Sequence, residues 1–311
     1  MKSGDAVRRR SPDFFCGVFF LVGPTAVGKS EIAAAVACAT GAEIVNADAF
    51  QIYRGLDLLS AKPEAEILRR VPHHLISAVS LADTMSAARF RELAMSALAI
   101  IRARGKPALV VGGTGLYVKS LTHGLSANPP PDPAMRAALQ TKELAELVRL
   151  LREKNPSLAK QVDLRNPRRV IRALEIASAN NGASARWKDV EDNSRGVFLT
   201  RERGQLRERI NQRVEFMFAA GVEEEVRNLG QTSETSERAL GLREIRQLLA
   251  GEISRADRIA KIQQATRQYA KRQLTWFRHQ TSFPALNLTD FSQREAVSAI
   301  SQMASRHFAQ R

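Results

Sequence analysis

Two apolar patterns take turns along this chain. From Phe15 to Val22 every residue except Gly17 is apolar, an unbroken run of the length expected for a parallel strand covered on both faces. Residues 29 to 39 are rich in Ala, Ile and Val and read as a helix; Glu43 to Asp48 (EIVNAD) reads as a short strand ending in a carboxylate. Ser86 to Arg104 spaces its apolar residues three and four apart, an amphipathic helix closed by Gly105. Ala108 to Val111 is another buried strand, halted by Gly112-Gly113. Strands alternating with helices predict an α/β fold, a parallel sheet flanked by helices.

The pattern changes at Asn128-Pro129-Pro130-Pro131-Asp132-Pro133, a stiff linker through which no helix can run. From Ala134 to about Asp192 the chain reads as helical, with charge on nearly every turn. Gly196 to Thr200 can return it to the sheet as a short strand. Helices are expected at Gln205 to Leu229, Leu240 to Leu249 and Ser254 to about Arg278, and the polar stretch Gln231 to Glu237 reads as an exposed loop. The expected layout is therefore a basic disordered tail at 1–13, a core formed by 14–126 and 196–311, and an inserted helical domain at 127–195.

Between the first strand and the first helix lies Gly23-Pro24-Thr25-Ala26-Val27-Gly28-Lys29-Ser30, which satisfies G-x-x-x-x-G-K-[ST]. Its glycines let backbone N–H groups turn inward around a phosphate, Lys29 supplies a point charge, and Ser30 can ligate Mg²⁺. The helix opening there adds the positive end of its dipole. A di- or triphosphate site is expected, of the P-loop kind that binds ATP and other nucleotides. Asp48, at the end of a neighbouring strand, is open to three roles: a Mg²⁺ partner, a general base beside a reacting centre, or a cap. Gly112-Gly113-Thr114-Gly115 would open at the same crevice.

Charge narrows the partners. Of 311 residues, 47 are Lys or Arg and 32 are Asp or Glu, a formal +15 that favours a polyanion. Arg165, Arg168, Arg169 and Arg172 crowd eight residues, and Arg267, Lys271 and Arg278 share a helical face. Cys16 and Cys38 have no metal-ligand spacing, which excludes a disulfide framework and fits a reducing compartment. The apolar run at Phe14 to Val22 ends in Gly-Pro-Thr and falls far short of the ~20 residues of a membrane span. A cytoplasmic protein with no membrane association is expected. Adjacent His73 and His74 point oppositely on a strand, so they read as hydrogen-bonded side chains and not as a metal pair. Trp187, Trp276 and Phe277 read as packing aromatics.

Taken in order, the segments are more specific than any one motif. They are GPTAVGKS at 23–30, QIYRGLDLLSAKP at 51–63, PHHLI at 72–76, LVVGGTGLYVKSL at 109–121 and NPRRVIRALEI at 166–176. QLRERINQRVEFMFAAGVEEEVRNL at 205–229, RALGLREI at 238–245 and ATRQYAKRQLTWFR at 265–278 complete the series. Over roughly residues 15 to 288 the chain resembles the tRNA dimethylallyltransferase family, the tRNA isopentenyltransferases of bacterial type.

The resemblance implies a P-loop NTPase-like sheet and transfer of a dimethylallyl group from dimethylallyl diphosphate to N6 of adenosine 37, in tRNAs that read codons beginning with U. It implies Asp48 as general base, Thr114 and Lys29 as further catalytic residues, and Mg²⁺ near Ser30. It implies tRNA contacts at Asp48, Ala49, Phe50 and Gln51, at Thr114 and Arg136, at Arg168, Arg169, Val170, Ile171 and Arg172, and at Arg238, Ala239, Leu240, Gly241, Leu242 and Arg243. Many family members carry Ser after the catalytic Asp, where this chain has Ala49. A monomer acting on the anticodon stem-loop is expected. Three rivals share the P-loop: a nucleotide kinase, an adenylate isopentenyltransferase acting on free AMP, and an RNA-binding protein without catalysis.

Overall fold

A computed structural model of the chain describes residues 15–125, 128, 132–179, 195–251 and 254–309. The tail at 1–13, most of the proline linker, and Trp187 with the end of the expected insertion lie outside the described residues. Two compact units result, the described residues of Met1–Thr122 and Asp192–Arg311 forming one and those of His123–Glu191 the other.

The larger unit opens with strand β1 (Val18–Val22), helix α1 (Lys29–Thr40), β2 (Glu43–Asn46), α2 (Ala65–Arg70) and β3 (His73–His74). It continues with α3 (Ala87–Ala103), β4 (Ala108–Gly112) and α4 (Gly115–Thr122). The smaller unit holds α5 (Pro133–Gln140), α6 (Leu144–Lys154), α7 (Pro156–Ala159) and α8 (Pro167–Ala179). The larger unit resumes with β5 (Arg195–Thr200), α9 (Arg203–Ala219), α10 (Val222–Arg227), α11 (Leu242–Leu249), α12 (Arg255–Gln280), β6 (Ala285–Asn287) and α13 (Gln293–Phe308).

The six strands lie in the order β3-β2-β4-β1-β5-β6, every neighbouring pair parallel. Alternation along β1 divides the core. Val18, Phe20 and Val22 face the layer that includes α3, α11 and α12, while Phe19 and Leu21 face α1 and α13. Phe20, Leu21 and Val22 are fully buried, and each such side chain contributes ~1.5–3 kcal/mol of apolar burial. The registers Val22↔Gly112 and Asn46↔Val111 bring the ends of β1, β2 and β4 to one edge of the sheet, where open α/β folds collect their ligands.

Several expectations change in contact with the fold. The strand expected to reach Asp48 ends at Asn46, and the helix expected at 205–229 breaks at Gly221, whose φ of 92° no L-residue favours. The stretch 231–237 is no exposed loop. Ser236 is fully buried and donates to the Leu81 carbonyl, and the Thr235 hydroxyl bonds with the Tyr53 phenol at 2.7 Å. Its polarity serves an internal hydroxyl network. β3 and β6 are too short for any periodicity to reveal, but α13 opens with a Ser292/Glu295 capping box that its sequence spells out.

In the smaller unit, Leu147, Leu151, Val170 and Leu174 form a separate core. Glu175 is buried within it, receiving a two-pronged bond from Arg136 at 2.7 and 2.9 Å and one from Arg172 at 2.9 Å.

Glu43 is the matching buried carboxylate of the sheet. It accepts from His74 Nε2 at 2.7 Å and from Arg104 at 3.2 and 3.3 Å, while His73 bonds the Val71 carbonyl instead. Burial works to raise the Glu43 pKa, but the His74 and Arg104 hydrogen bonds outweigh it and hold the group below its ordinary value. A depressed carboxylate stabilises the fold above its unfolded pKa and loses that contribution as pH falls through the folded one. Glu43→Gln should therefore lower unfolding free energy by about 1–3 kcal/mol at neutral pH, and the gap from wild type should shrink below pH ~4. Denaturant melts at the two pH values check this; an equal gap at both contradicts it.

Candidate active site

Three loops leave the sheet side by side, and backbone bonds lock two of them together. Ala47 N–H donates to the Val111 carbonyl at 2.7 Å, Thr114 N–H to the Ala47 carbonyl at 3.3 Å, and Ala49 N–H to Thr114 Oγ1 at 3.0 Å. Asp48 sits inside this lacing. Its Oδ1 accepts the N–H groups of Phe50 at 2.9 Å and Gln51 at 3.3 Å. One carboxylate oxygen thus caps the turn that fixes the side chain.

The third loop is the phosphate motif. Gly28 at φ 105° and Ala26 at φ 62° supply its left-handed turns, and Lys29 Nζ donates to the Pro24 carbonyl at 2.7 Å. Gln273 of α12 ties this loop to the Thr114 turn: its Oε1 accepts Thr25 N–H at 2.9 Å and its Nε2 donates to the Gly113 carbonyl at 2.8 Å. Four residues earlier on the same helix, burial, then the charge of Asp48, pushes the Tyr269 phenol's pKa up, with Thr114 opposing them.

Helix α9 supplies cations. Arg213 donates to Thr25 Oγ1 at 2.6 Å and to the Ser60 carbonyl at 3.2 Å, and Arg209 to the Ala26 carbonyl at 2.9 Å. From the end of β5, Arg201 reaches the Val27 carbonyl at 3.4 Å. Burial lowers the pKa of Lys29 to about 8, with Asp48 opposing and Arg213 adding to the effect. Burial likewise lowers that of Arg213, against the pull of Asp48.

These groups surround a cavity of about 160 Å³ lined by Lys29, Ser30, Asp48, Gln51, Arg209 and Arg213 among others. A smaller apolar pocket of about 40 Å³ adjoins it, walled by Leu59, Val214, Met217, Leu240, Ile262 and Tyr269. Asp48, Thr25, Ser60 and Arg213 line both. One side of the carboxylate is thus charged and polar, the other hydrocarbon.

Residues 51–280 match the model of a family described as IPP transferase. The chain is 42% identical over 264 residues to a tRNA dimethylallyltransferase of Akkermansia muciniphila, covering 84% of this chain and 90% of that one. A tRNA dimethylallyltransferase of Geobacter metallireducens is also 42% identical, over 271 residues covering 82% and 87%. This chain belongs to the IPP transferase family. The fold agrees. It superposes on the tRNA isopentenylpyrophosphate transferase of Bacillus halodurans with TM-score 0.70 and 31% identity, over 94% of this chain and 97% of that one. A eukaryotic dimethylallyltransferase acting on tRNA shares the fold at TM-score 0.76 and 23% identity, over 94% and 79%.

Within this IPP transferase, Lys29, Ser30, Asp48 and Gln51 meet at one cavity, with Thr114 directly behind Asp48. Ala49 contributes its backbone N–H to Thr114. Phe50, Ala239 and Leu240 line the apolar pocket, Leu242 is buried in the core, and Arg243 is exposed. Arg238 is paired with Glu234. In the smaller unit Arg168 and Arg169 are exposed, whereas the side chains of Val170 and Ile171 are core. These two cannot offer side chains to a partner, and Arg136 and Arg172 are engaged by Glu175. Sequence reasoning missed Arg213 and Gln273. Arg209 and Arg213 stand four apart on a helix whose Leu206, Ile210 and Val214 are buried, which was the available signal; Gln273 has none.

Lys29 makes the site pH-sensitive. Because burial lowers its pKa, it loses its charge as pH rises through about 8, and an anionic ligand binds the charged form more tightly. Affinity for inorganic diphosphate should fall as pH is raised from about 7 to about 9.5, and Lys29→Arg should flatten the profile because guanidinium keeps its proton throughout. Calorimetric titration across that range checks it; a flat wild-type profile contradicts it.

Proposed function

We propose that this protein transfers the dimethylallyl group of dimethylallyl diphosphate to N6 of adenosine 37 in the anticodon loop of tRNAs reading U-starting codons. One observation carries the reading: Asp48 stands in the wall shared by a cationic cavity and an apolar pocket. A prenyl transfer needs that juxtaposition, because its leaving group is highly charged and its transferred group is hydrocarbon.

The adenine amine is a weak nucleophile, its lone pair delocalised into the ring. As its nitrogen bonds to C1 of the prenyl group, the C1–O bond breaks and its electrons leave with diphosphate. The amine must shed a proton in the same event. The oxygen of Asp48 not bonded to the Phe50 and Gln51 amides accepts it, a role typically worth ~10²–10⁴-fold in rate. Thr114 acts behind the base, holding the Ala49 amide. Lys29, Arg213 and the phosphate-loop amides meet the charge gathering on diphosphate, and their burial makes each interaction stronger than it would be in water.

Ser30, at the first turn of α1 and lining the same cavity, fits a hard cation that takes few protein ligands and completes its shell with phosphate oxygens and water. Ser30 would hold Mg²⁺ there, and the ion when bound supplies further counter-charge to diphosphate.

The target base must turn out of its stack, at a cost of a few kcal/mol. The larger unit offers Phe50, Gln51 and the 238–243 segment to it, and the exposed Arg168 and Arg169 of the smaller unit offer positive charge to the backbone of the anticodon stem-loop. Among the described residues no helix is long and apolar enough to cross a membrane, and we assign the protein to the cytoplasm with its tRNA.

Incubation with labelled dimethylallyl diphosphate, Mg²⁺ and either tRNA, AMP or ATP tests the reading. Label should enter tRNA alone, recovered after digestion as N6-prenylated adenosine. Label in AMP, or phosphoryl transfer from ATP without prenylation, would overturn it.

A further inference from the structure

The sequence Glu223-Glu224-Glu225 has the look of a solvated acidic helix face, yet its three carboxylates do different things. Glu223 pairs with Arg255, and Glu224 bonds Arg227 and Asn228. Glu225 turns toward a loop distant in sequence. Its Oε2 accepts the N–H groups of Asp57 at 2.9 Å and Leu58 at 2.7 Å, and its Oε1 accepts that of Leu59 at 2.9 Å. Three consecutive backbone amides converging on one anion form the kind of concavity that elsewhere binds phosphate; here a side chain of the same protein fills it.

Immediately beyond that concavity the chain becomes the wall of the active site. Leu59 lines the apolar pocket, and Ser60 and Ala61 line the charged cavity. The Ser60 carbonyl accepts from Arg213, and the Ser60 and Ala61 carbonyls accept from the Gln51 amide at 3.4 and 2.9 Å. Lys62 anchors the far end, donating to the Tyr53 carbonyl, Asp57 and Ser77. Ala61 is at φ 46°, an uncommon conformation for a residue with a Cβ, in a turn whose two flanks are both held. Without the Glu225 carboxylate, three amides on one flank of this segment lose their acceptor.

We propose that Glu225 is a positioning residue for the transfer reaction: through the Asp57–Leu59 amides it sets the Ser60 carbonyl, and through that carbonyl the direction of the Arg213 guanidinium toward diphosphate. The inference rests on the prenyl-transfer reading of the site. It places a determinant of donor binding on α10, in a residue that itself touches neither cavity.

The test compares wild type with Glu225→Ala and with Glu225→Gln, which retains the size of the side chain and one acceptor oxygen. Affinity for inorganic diphosphate is measured by calorimetry, and KM for donor and for tRNA by prenyl transfer. Glu225→Ala should weaken diphosphate binding and raise the donor KM by between about tenfold and 10²-fold, as expected for a misdirected charged group, with the tRNA KM unchanged. Glu225→Gln should fall between the two, and it decides the matter if the alanine variant does not fold. Unchanged diphosphate affinity in a folded variant, or a rise confined to the tRNA KM, would overturn the proposal. Wild type run in parallel separates the two claims: an inactive wild type refutes the prenyl-transfer reading, whereas an active wild type with an unaltered variant refutes only the role of Glu225.

Discussion

The close approach of two strand ends governs this site. A Cβ on Gly112 would lie 2.2 Å from the Ala47 carbonyl oxygen, and one on Gly113 would lie 2.4 Å from Gln273 Nε2. Only glycines let the loop after β4 lie flat against the loop after β2 and the side chain of α12. That contact allows Ala47, Ala49 and Thr114 to lace together and hold Asp48 facing both cavities. Larger residues would push Asp48 away from whatever occupies the phosphate loop, and a displacement of about 1 Å can cost 10²-fold in rate.

A second constraint comes from charge. Lys29 and Arg213 are half-buried, each close enough to feel Asp48 as a counter-charge. Taking a cation out of water is costly, and that cost, with a smaller contribution from Arg213, lowers the pKa of Lys29. A diphosphate would relieve it, so stability given up in the free protein becomes affinity for an anion. The carboxylates elsewhere are treated differently: Glu43 and Glu175 are buried with their cations already in place, as structural groups need to be.

How much of this was legible in the sequence depends on distance along the chain. The phosphate loop, the carboxylate after β2 and the Gly-Gly-Thr turn are local, since each lies just beyond its strand and serves through its own backbone geometry. The parallel sheet was legible for the same reason, because a buried strand such as Val18–Val22 is a continuous apolar run in sequence. Arg213 and Gln273 were not, since they reach Thr25 across 188 and 248 residues, and their helices show no feature that names a target. The 231–237 stretch misled because hydroxyls that satisfy one another inside a protein look the same in sequence as hydroxyls in water. Val170 and Ile171 were grouped with the arginines around them, although the helical period of α8 turns them inward while Arg168 and Arg169 stay exposed.

The proposed transfer turns on Asp48 as the acceptor of the N6 proton. Asp48→Asn keeps the size of the side chain and the oxygen that caps the Phe50 and Gln51 amides, but it cannot take up a proton. The most direct measurement is the single-turnover rate of this variant on saturating tRNA and donor, across a Mg²⁺ titration. A fall of at least ~10²-fold is expected, the lower range for loss of a general base, with tRNA affinity little changed and no recovery at high Mg²⁺. A near-normal rate, or one restored by Mg²⁺, would contradict it.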